Sequence, residues 1–335
     1  MELSIIKNLK KMGVDDFKKM GQGTSREILR YAIENKLDIY RVFDKKNIFI
    51  FKKESNYFWI NRALTSKTNP IGVSIAKNKH LAKEFLKKLE YPVADGMIIY
   101  SEKELVDAIK KISFPVVVKP LGSAEGEGIT ININNKKLLV DSFKVAKKFD
   151  KKILIEKYIP GDYYRITYIA DGSYAATKNL PAYITGNGKK TIRELIKTEN
   201  KINKERQKGG RLKKISISEK TERLLASENY NLDSVLEEDK KIPLCFSGFD
   251  GGEYINVTNE IHPYFVKMGK DIVSTLGLPI VGIDIISPDI RKPLTENDGI
   301  IIEINGTFPS VQFHGNPTQG ESIYLIPNLM NYLFS

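Results

Sequence analysis

Apolar spacing divides the chain into short strands and amphipathic helices. Residues 25–36 place Ile28, Leu29, Ala32 and Ile33 at helical spacing. LDIYRVF and NIFIFKK then read as strands, with DKKN between them and the charged KKES suited to a hairpin turn. From Asn78, NKHLAKEFLKKL sets Leu81, Phe85, Leu86 and Leu89 on one helix face behind an asparagine cap. YPVADGMIIY reads as turn and strand, and Ser101 with Glu104 predicts a capping box opening the helix SEKELVDAIKKI. FPVVVKP, ITINI and KILIEKYI are further strands.

Beyond Gly161, YRITYIA and SYAATK flank the two-residue turn Asp171-Gly172, and Asn187-Gly188 marks another turn. Thr191 and Glu194 predict a capped start for the helix TIRELI. Residues 200–255 read as polar and loop-rich, with KERQKGGRLKK the most mobile stretch. A helix over about 260–276, with His262 as its cap and Gly277 as its stop, leads to the strands PIVGIDIIS and GIIIEINGTF. A final helix is expected near ESIYLIPNLMNYLF. The expectation is an α/β (α+β) chain in three parts: an N-terminal module over 1–74, a small module over 75–157 and a C-terminal domain over 158–335.

Composition narrows the class. With 335 residues, 41% hydrophobic and 28% charged, the chain has the make-up of a soluble globular protein with room for two or three domains. No run of about eighteen apolar residues occurs, and MELSIIKNLKKMG lacks the apolar core of a signal peptide, so a cytoplasmic protein with no membrane partner is expected. Cys245 is the only cysteine, which excludes an intrachain disulfide framework and a Cys-rich zinc site. The formal net charge is +12, carried mostly by lysines scattered in pairs such as Lys87-Lys88, Lys110-Lys111 and Lys147-Lys148. They are not interleaved with aromatics as a single-strand groove requires, so the excess fits an anionic small-molecule site better than nucleic acid.

Candidate chemistry gathers at two places. Glu303 and Asn305 stand at i and i+2 of one strand and so share a face, while the neighbouring strand carries Asp284. Such a hard-oxygen group suits Mg²⁺ better than zinc, although a strand emerging into solvent would carry the same residues. Gly122, Gly126 and Gly128 lie between two strands, as a plain turn or as a hairpin whose N–H groups fold over phosphates. Neither GxxxxGK[ST] nor a strand-to-helix GxGxxG occurs.

Taken in order, VVVKPLGSAEGEGITINI, ILIEKYIPGDYYR, LPAYITGNGKKTIRELI, NVTNEIHP, VGIDIISPDIRKPL and GIIIEINGTFP resemble the ATP-grasp carboxylate–amine ligases. The likeness is closest to the ATP-grasp module of cyanophycin synthetase and of bifunctional glutamate–cysteine ligase/glutathione synthetase, and it spans roughly residues 25 to 335. It implies an ATP-grasp fold in which two α+β domains clasp ATP, with 75–157 as the lid domain. It also implies an amide-forming, ADP-producing ligase acting on amino acids or short peptides as a homodimer or homotetramer. Mg²⁺, as two ions, or Mn²⁺ would accompany ATP. By the same likeness Asp284, Glu303 and Asn305 are the metal ligands, and Lys79 and Lys119 hold ATP phosphates. The loop with Gly122, Ser123, Gly126 and Gly128 closes over them. Glu156, Lys157, Tyr158 and Ile159 read the adenine edge, Asp162 the ribose, and Arg165 and Lys178 serve catalysis.

Departures from the family pattern cluster where substrates are expected. Tyr163 replaces the ribose acid, with Asp162 one place earlier, and Lys178 and Asn179 stand where an arginine precedes the PA pair. SGFDGG keeps Gly251 and Gly252 but carries Ser247 for an asparagine, Ile242 stands where an arginine is expected, and GTFPS replaces a small-Pro-Gly turn. Ser247, Gly251, Gly252 and His314 are therefore the expected substrate-side residues. The competing expectations are an ATP-binding regulatory protein without catalysis and a ligase that modifies a protein side chain or terminus.

Overall fold

The computed structural model describes residues 4–13, 23–43, 46–122, 127–204, 206, 212–245, 251–296 and 298–335. Chain order begins with a 3₁₀ turn Ser4–Asn8, α1 (Thr24–Glu34), β1 (Asp38–Arg41), β2 (Ile48–Lys53), β3 (Asn56–Asn61) and β4 (Leu64–Thr65). These strands form an antiparallel sheet in the order β1-β2-β3-β4. Then come α2 (Pro70–Lys77), α3 (Lys79–Lys88), β5 (Gly96–Ile99), α4 (Leu105–Ile112), β6 (Val116–Pro120), β7 (Thr130–Ile133), α5 (Lys136–Lys147) and β8 (Ile153–Lys157). Their strands make a second sheet, β5-β8-β6-β7.

The remainder comprises β9 (Asp162–Ile169), β10 (Tyr174–Leu180), β11 (Tyr183–Thr185), α6 (Ile192–Ile202), α7 (Glu219–Ser227), β12 (Lys241–Pro243) and β13 (Glu253–Asn256). It closes with α8 (Pro263–Leu276), β14 (Ile280–Ser287), β15 (Ile300–Asn305), the short turn α9 (Gln312–Gly315) and α10 (Ile326–Phe334). A five-stranded antiparallel sheet, β13-β10-β9-β14-β15, is the frame of this part, and β11 and β12 form a separate pair.

Alternation along this central sheet gives it two differently used faces. On one, Tyr164, Ile166, Tyr168, Val281, Ile283 and Ile285 pack with Phe265, Met268 and Ile272 of α8 and with Leu86 of α3. On the other, Ile169, Ala175 and Ile280 join Phe49, Phe51 and Phe58 of the N-terminal sheet and Leu329 and Met330 of α10. The same face also carries Arg165, Thr167, Thr177, Asn179, Asp284 and Glu303, and there the candidate site lies. Gly72 lets α2 approach the end of α8: a Cβ there would stand 1.9 Å from the Leu276 carbonyl oxygen, so no side chain fits.

Several local expectations hold. His262 caps α8 by accepting from the Tyr264 N–H, and Gly277 ends it at φ 62°. Thr191 and Glu194 form the reciprocal box on α6, and Asn78 caps α3. Others need correction. Ser101 makes no bond to a helix backbone N–H; its hydroxyl donates to Glu104, and the first turn is 3₁₀ over Glu102–Glu104. Within 200–255, α7, β12 and β13 are ordered elements. Leu225, Leu232, Leu236, Ile242 and Leu244 form a core of their own with Ala182, Ile184 and Ile192. The stretch expected to be most mobile falls largely outside the described residues. The last helix begins only at Ile326, where Pro327 is tolerated in the first turn.

Candidate active site

Strand register assembles the centre of the site. Asp284 of β14 stands opposite both Arg165 of β9 and Glu303 of β15, and Arg165 stands opposite Thr177 of β10. Side chains directly opposite one another across antiparallel strands share a face, so a row Thr177–Arg165–Asp284–Glu303 crosses the sheet. A register shift between Asp284 and Ile285 places a bulge beside Glu303, the kind of irregularity that re-aims a side chain at a sheet edge. Two residues along β15, Asn305 donates through Nδ2 to Asp284 Oδ2 at 2.9 Å.

Arg165 and Asp284 form a buried bidentate pair through Nε and Nη2, the second contact at 2.8 Å. Burial alone would lower the Arg165 pKa, but Asp284 outweighs it and raises it further, so the cation is permanent. Arg165 also donates to the Phe308 carbonyl at 3.3 Å, and Thr167, on the same face of β9, donates to the Pro309 carbonyl at 2.8 Å. The segment following Asn305 is thus tied to the sheet by two side chains.

His314 Nε2 lies 2.8 Å from the Thr167 hydroxyl oxygen. The single Thr167 proton is committed to Pro309, so His314 must donate from Nε2, leaving Nδ1 as a buried acceptor with no partner among the described residues. Burial, with a smaller push from Arg165, pulls the imidazole pKa down to about 3. A histidine depressed in the folded state and ordinary in the unfolded one stabilises fully above about pH 6.5, and that stability is lost as pH falls towards 3. Between pH 6.5 and 5 the protein is expected to lose about 2 kcal/mol through this residue. Denaturant titrations at both pH values should show that loss, and a His314→Gln variant should show a correspondingly shallower slope; equal slopes would contradict it.

A second group faces this row from the other sheet and from α3. Lys79, in the first turn of α3, lies 3.4 Å from Glu303 Oε1. One turn on, Lys83 is ion-paired with Glu156 of β8, whose other oxygen meets Lys119 of β6 at 2.5 Å. A cleft lined by Lys79, Lys83, Leu86, Ile302 and Glu303 separates α3 from β15. Burial pushes the Glu156 pKa up, but Lys119 and Lys83 outweigh it and hold the carboxyl below its ordinary value. Burial lowers the Lys83 pKa against the pull of Glu156.

The glycine loop is described only at its ends. Gly122 donates its N–H to Asp150 Oδ2 at 2.7 Å, and Gly128, at φ 68°, packs against Pro120 and Phe149. Ser123 and Gly126 lie outside the described residues. At the strand end after Glu156, the backbone N–H groups of Lys157 and Tyr158 donate to Asp95 and Pro115, while Lys157 Nζ reaches the Phe114 carbonyl at 3.2 Å. Ile159 follows directly in the same connection.

Other expected residues are placed elsewhere. Lys178 neighbours Thr177 on β10 and so points to the opposite face from Arg165, where it pairs with Asp162 at 2.5 Å. It is Asn179, buried and with no partner for Oδ1 among the described residues, that shares the face of Arg165. Gly251, at φ 100°, offers its carbonyl to the buried Arg206, and Gly252 beside it is buried. Ser247 lies outside the described residues. Sequence reasoning missed Lys83 and Thr167, although Lys83 is four residues from Lys79 on one helix face and Thr167 two from Arg165 on one strand face.

The donor set fits a hard divalent cation. Asp284 and Glu303 stand opposite one another and Asn305, with its Nδ2 given to Asp284, presents Oδ1, so two carboxylates and a carboxamide share one face. Both Asp284 oxygens are engaged by Arg165, and a cation would share them. Among the described residues no group of three or more His, Cys, Asp and Glu side chains is arranged to hold a metal.

Comparison with known proteins bears on this geometry. Residues 77–182 match the model of the phosphoribosylglycinamide synthetase ATP-grasp (A) domain. Across 78% of its length the chain is 35% identical to cyanophycin synthetase of Geminocystis herdmanii, spanning 30% of that protein. It is 28% identical over 90% of its length to the bifunctional glutathione biosynthesis protein of Mannheimia succiniciproducens, covering 41% of it. The crystal structure of a bifunctional glutathione synthetase from Pasteurella multocida superposes with a TM-score of 0.65 at 25% identity, over 96% of this chain and 44% of that one. The chain is an ATP-grasp protein. It is homologous to cyanophycin synthetase and to bifunctional glutathione synthetase, and it spans between about a third and a half of the length of these relatives. Among its described residues no helix is long and apolar enough to cross a membrane.

Proposed function

We propose that this chain is an ADP-forming carboxylate–amine ligase that uses ATP with Mg²⁺ or Mn²⁺ to join amino acids or short peptides. The observation that carries this reading is the oxygen-donor row Asp284–Glu303–Asn305, backed by Arg165, with Lys79 and Lys83 beside Glu303 between α3 and β15 and Lys119 joined to Lys83 through Glu156. Bringing a polyphosphate beside a carboxylate costs electrostatic energy, and fixed cations lower that cost most where water is excluded. Asp284, Glu303 and Asn305 would hold the cation, which supplies charge neutralisation at the phosphates.

In the proposed reaction a substrate carboxylate oxygen attacks the γ-phosphorus of ATP, and the bond to the β-bridging oxygen breaks to give an acyl phosphate and ADP. An amine then attacks the acyl carbon, phosphate leaves, and the amine proton is released with formation of the amide. Lys79 and Lys119 bind the phosphates, Arg165 steadies the anionic reacting group, and the loop from Gly122 to Gly128 excludes water from the acyl phosphate. Glu156 through Ile159 and Asp162 receive the nucleoside. Ser247, Gly251, Gly252 and His314 bound the amino-acid or peptide side. Residues 75–157 and 158–335 serve as the two ATP-clasping domains, with 1–74 preceding them.

ADP formation measured across a panel of amino acids and short peptides, with mass analysis of products, tests the reading. The expected outcome is metal-dependent ADP release stimulated by one acid–amine pair, with a single amide product. ATP binding without stimulation by any pair would instead favour a regulatory ATP-binding protein.

A further inference from the structure

The triad Lys83–Glu156–Lys119 has one more cation than the nucleotide contacts assigned above require. All three side chains are withdrawn from solvent, at 13%, 5% and 12% exposure. The space for them is built in: Gly96 stands opposite Glu156 in the sheet, and a Cβ there would come within 2.9 Å of Glu156 Cγ and 3.2 Å of Lys83 Nζ. Lys83 also lines the cleft between α3 and β15, one helical turn from Lys79. Resting on the proposal that Lys119 binds ATP phosphates, a difficulty follows. When Lys119 turns towards a phosphate, Glu156 loses one of its two counter-ions while still buried. A buried carboxylate stripped of its partners is strongly unfavourable, and that penalty would be charged against nucleotide binding.

We propose that Lys83 is a positioning residue: it is the standing counter-ion of Glu156, which keeps that carboxylate ionised and in place while Lys119 is handed from Glu156 to the polyphosphate. The triad then acts as a charge exchange. Without nucleotide, Glu156 holds both lysines; with nucleotide, it holds Lys83 alone. Lys83 acts through Glu156 and makes no phosphate contact itself.

Calorimetry of the full chain with magnesium tripolyphosphate, which has no base to touch Glu156, and in parallel with magnesium ATP, tests this. Lys83→Met should weaken tripolyphosphate binding by about tenfold or more, the scale of an uncompensated buried charge. Its nucleotide-free thermal unfolding should change little, since Lys119 still partners Glu156. Lys83→Arg should retain binding, and Lys83→Met combined with Glu156→Gln should return it to within about threefold of the unaltered protein. Glu156→Gln alone, which does not depend on the folding of a lysine variant, should bind tripolyphosphate at least as tightly as the unaltered chain. A Lys83→Met protein that binds normally, or a double variant as weak as the single one, overturns the proposal, the latter because it makes Lys83 a direct phosphate ligand. Normal coupling without ADP formation from any substrate pair would overturn the ligase reading and leave this one standing. Absence of tripolyphosphate and ATP binding by the unaltered chain would overturn both.

Discussion

Arg165→Met is expected to lower stability by about 3–5 kcal/mol, because it leaves Asp284 buried without its counter-ion, beside the neutral Asn305 amide and Tyr163 hydroxyl. The arginine is 4% exposed and its loss also frees the Phe308 carbonyl, so the segment after Asn305 loses one of its two ties to the sheet. Removing both charges, as Arg165→Met with Asp284→Leu, should recover most of the lost stability, since an apolar pair of similar volume replaces the ion pair without stranding a charge. Neither variant should form ADP. Denaturant unfolding of the two proteins measures this directly. A single variant within about 1 kcal/mol of the unaltered chain would show that Asp284 finds another partner and that the row is not held together by this pair.

Glu303→Gln separates chemistry from folding. Its side chain is 38% exposed and its partner Lys79 lies at 3.4 Å, so the pair contributes little to stability, about 0–1 kcal/mol. The substitution keeps the shape of the group but removes the charge that a divalent cation requires. ADP formation should fall at least about a hundredfold, the scale associated with losing one preorganised electrostatic group, while the thermal midpoint barely moves. Retained activity would remove Glu303 from the metal site.

Some of this was legible in the sequence and some was not, for identifiable reasons. Glu303 and Asn305 share a face because strand alternation is local, and Asn78, His262 and Gly277 mark helix ends because capping chemistry is local. The pairing of Arg165 with Asp284 depends on which strands neighbour each other and in what register, and no short segment encodes that. The same dependence explains Lys178 and Asn179. Either residue fits the family position, but only the observed register turns Asn179 towards Arg165 and Lys178 towards Asp162. In the 182–245 region, apolar residues such as Leu232, Leu236 and Leu244 are spaced thinly among charges. Periodicity therefore undervalues a small core that forms only when α6, α7, β11 and β12 meet. Lys83 was hidden differently: a helix lysine usually marks a solvated face, and only the arrival of β8 with Glu156, opposite a glycine, makes it a buried ion.

The central claim is that a substrate carboxylate is activated by phosphoryl transfer from ATP. The most direct measurement supplies the acid that stimulates ADP formation with ¹⁸O in its carboxylate and follows the label into inorganic phosphate by mass spectrometry. One labelled oxygen in each phosphate released, with ADP and amide formed in equal amounts, is the predicted result. Phosphate free of label, or AMP and pyrophosphate as the nucleotide products, would contradict it.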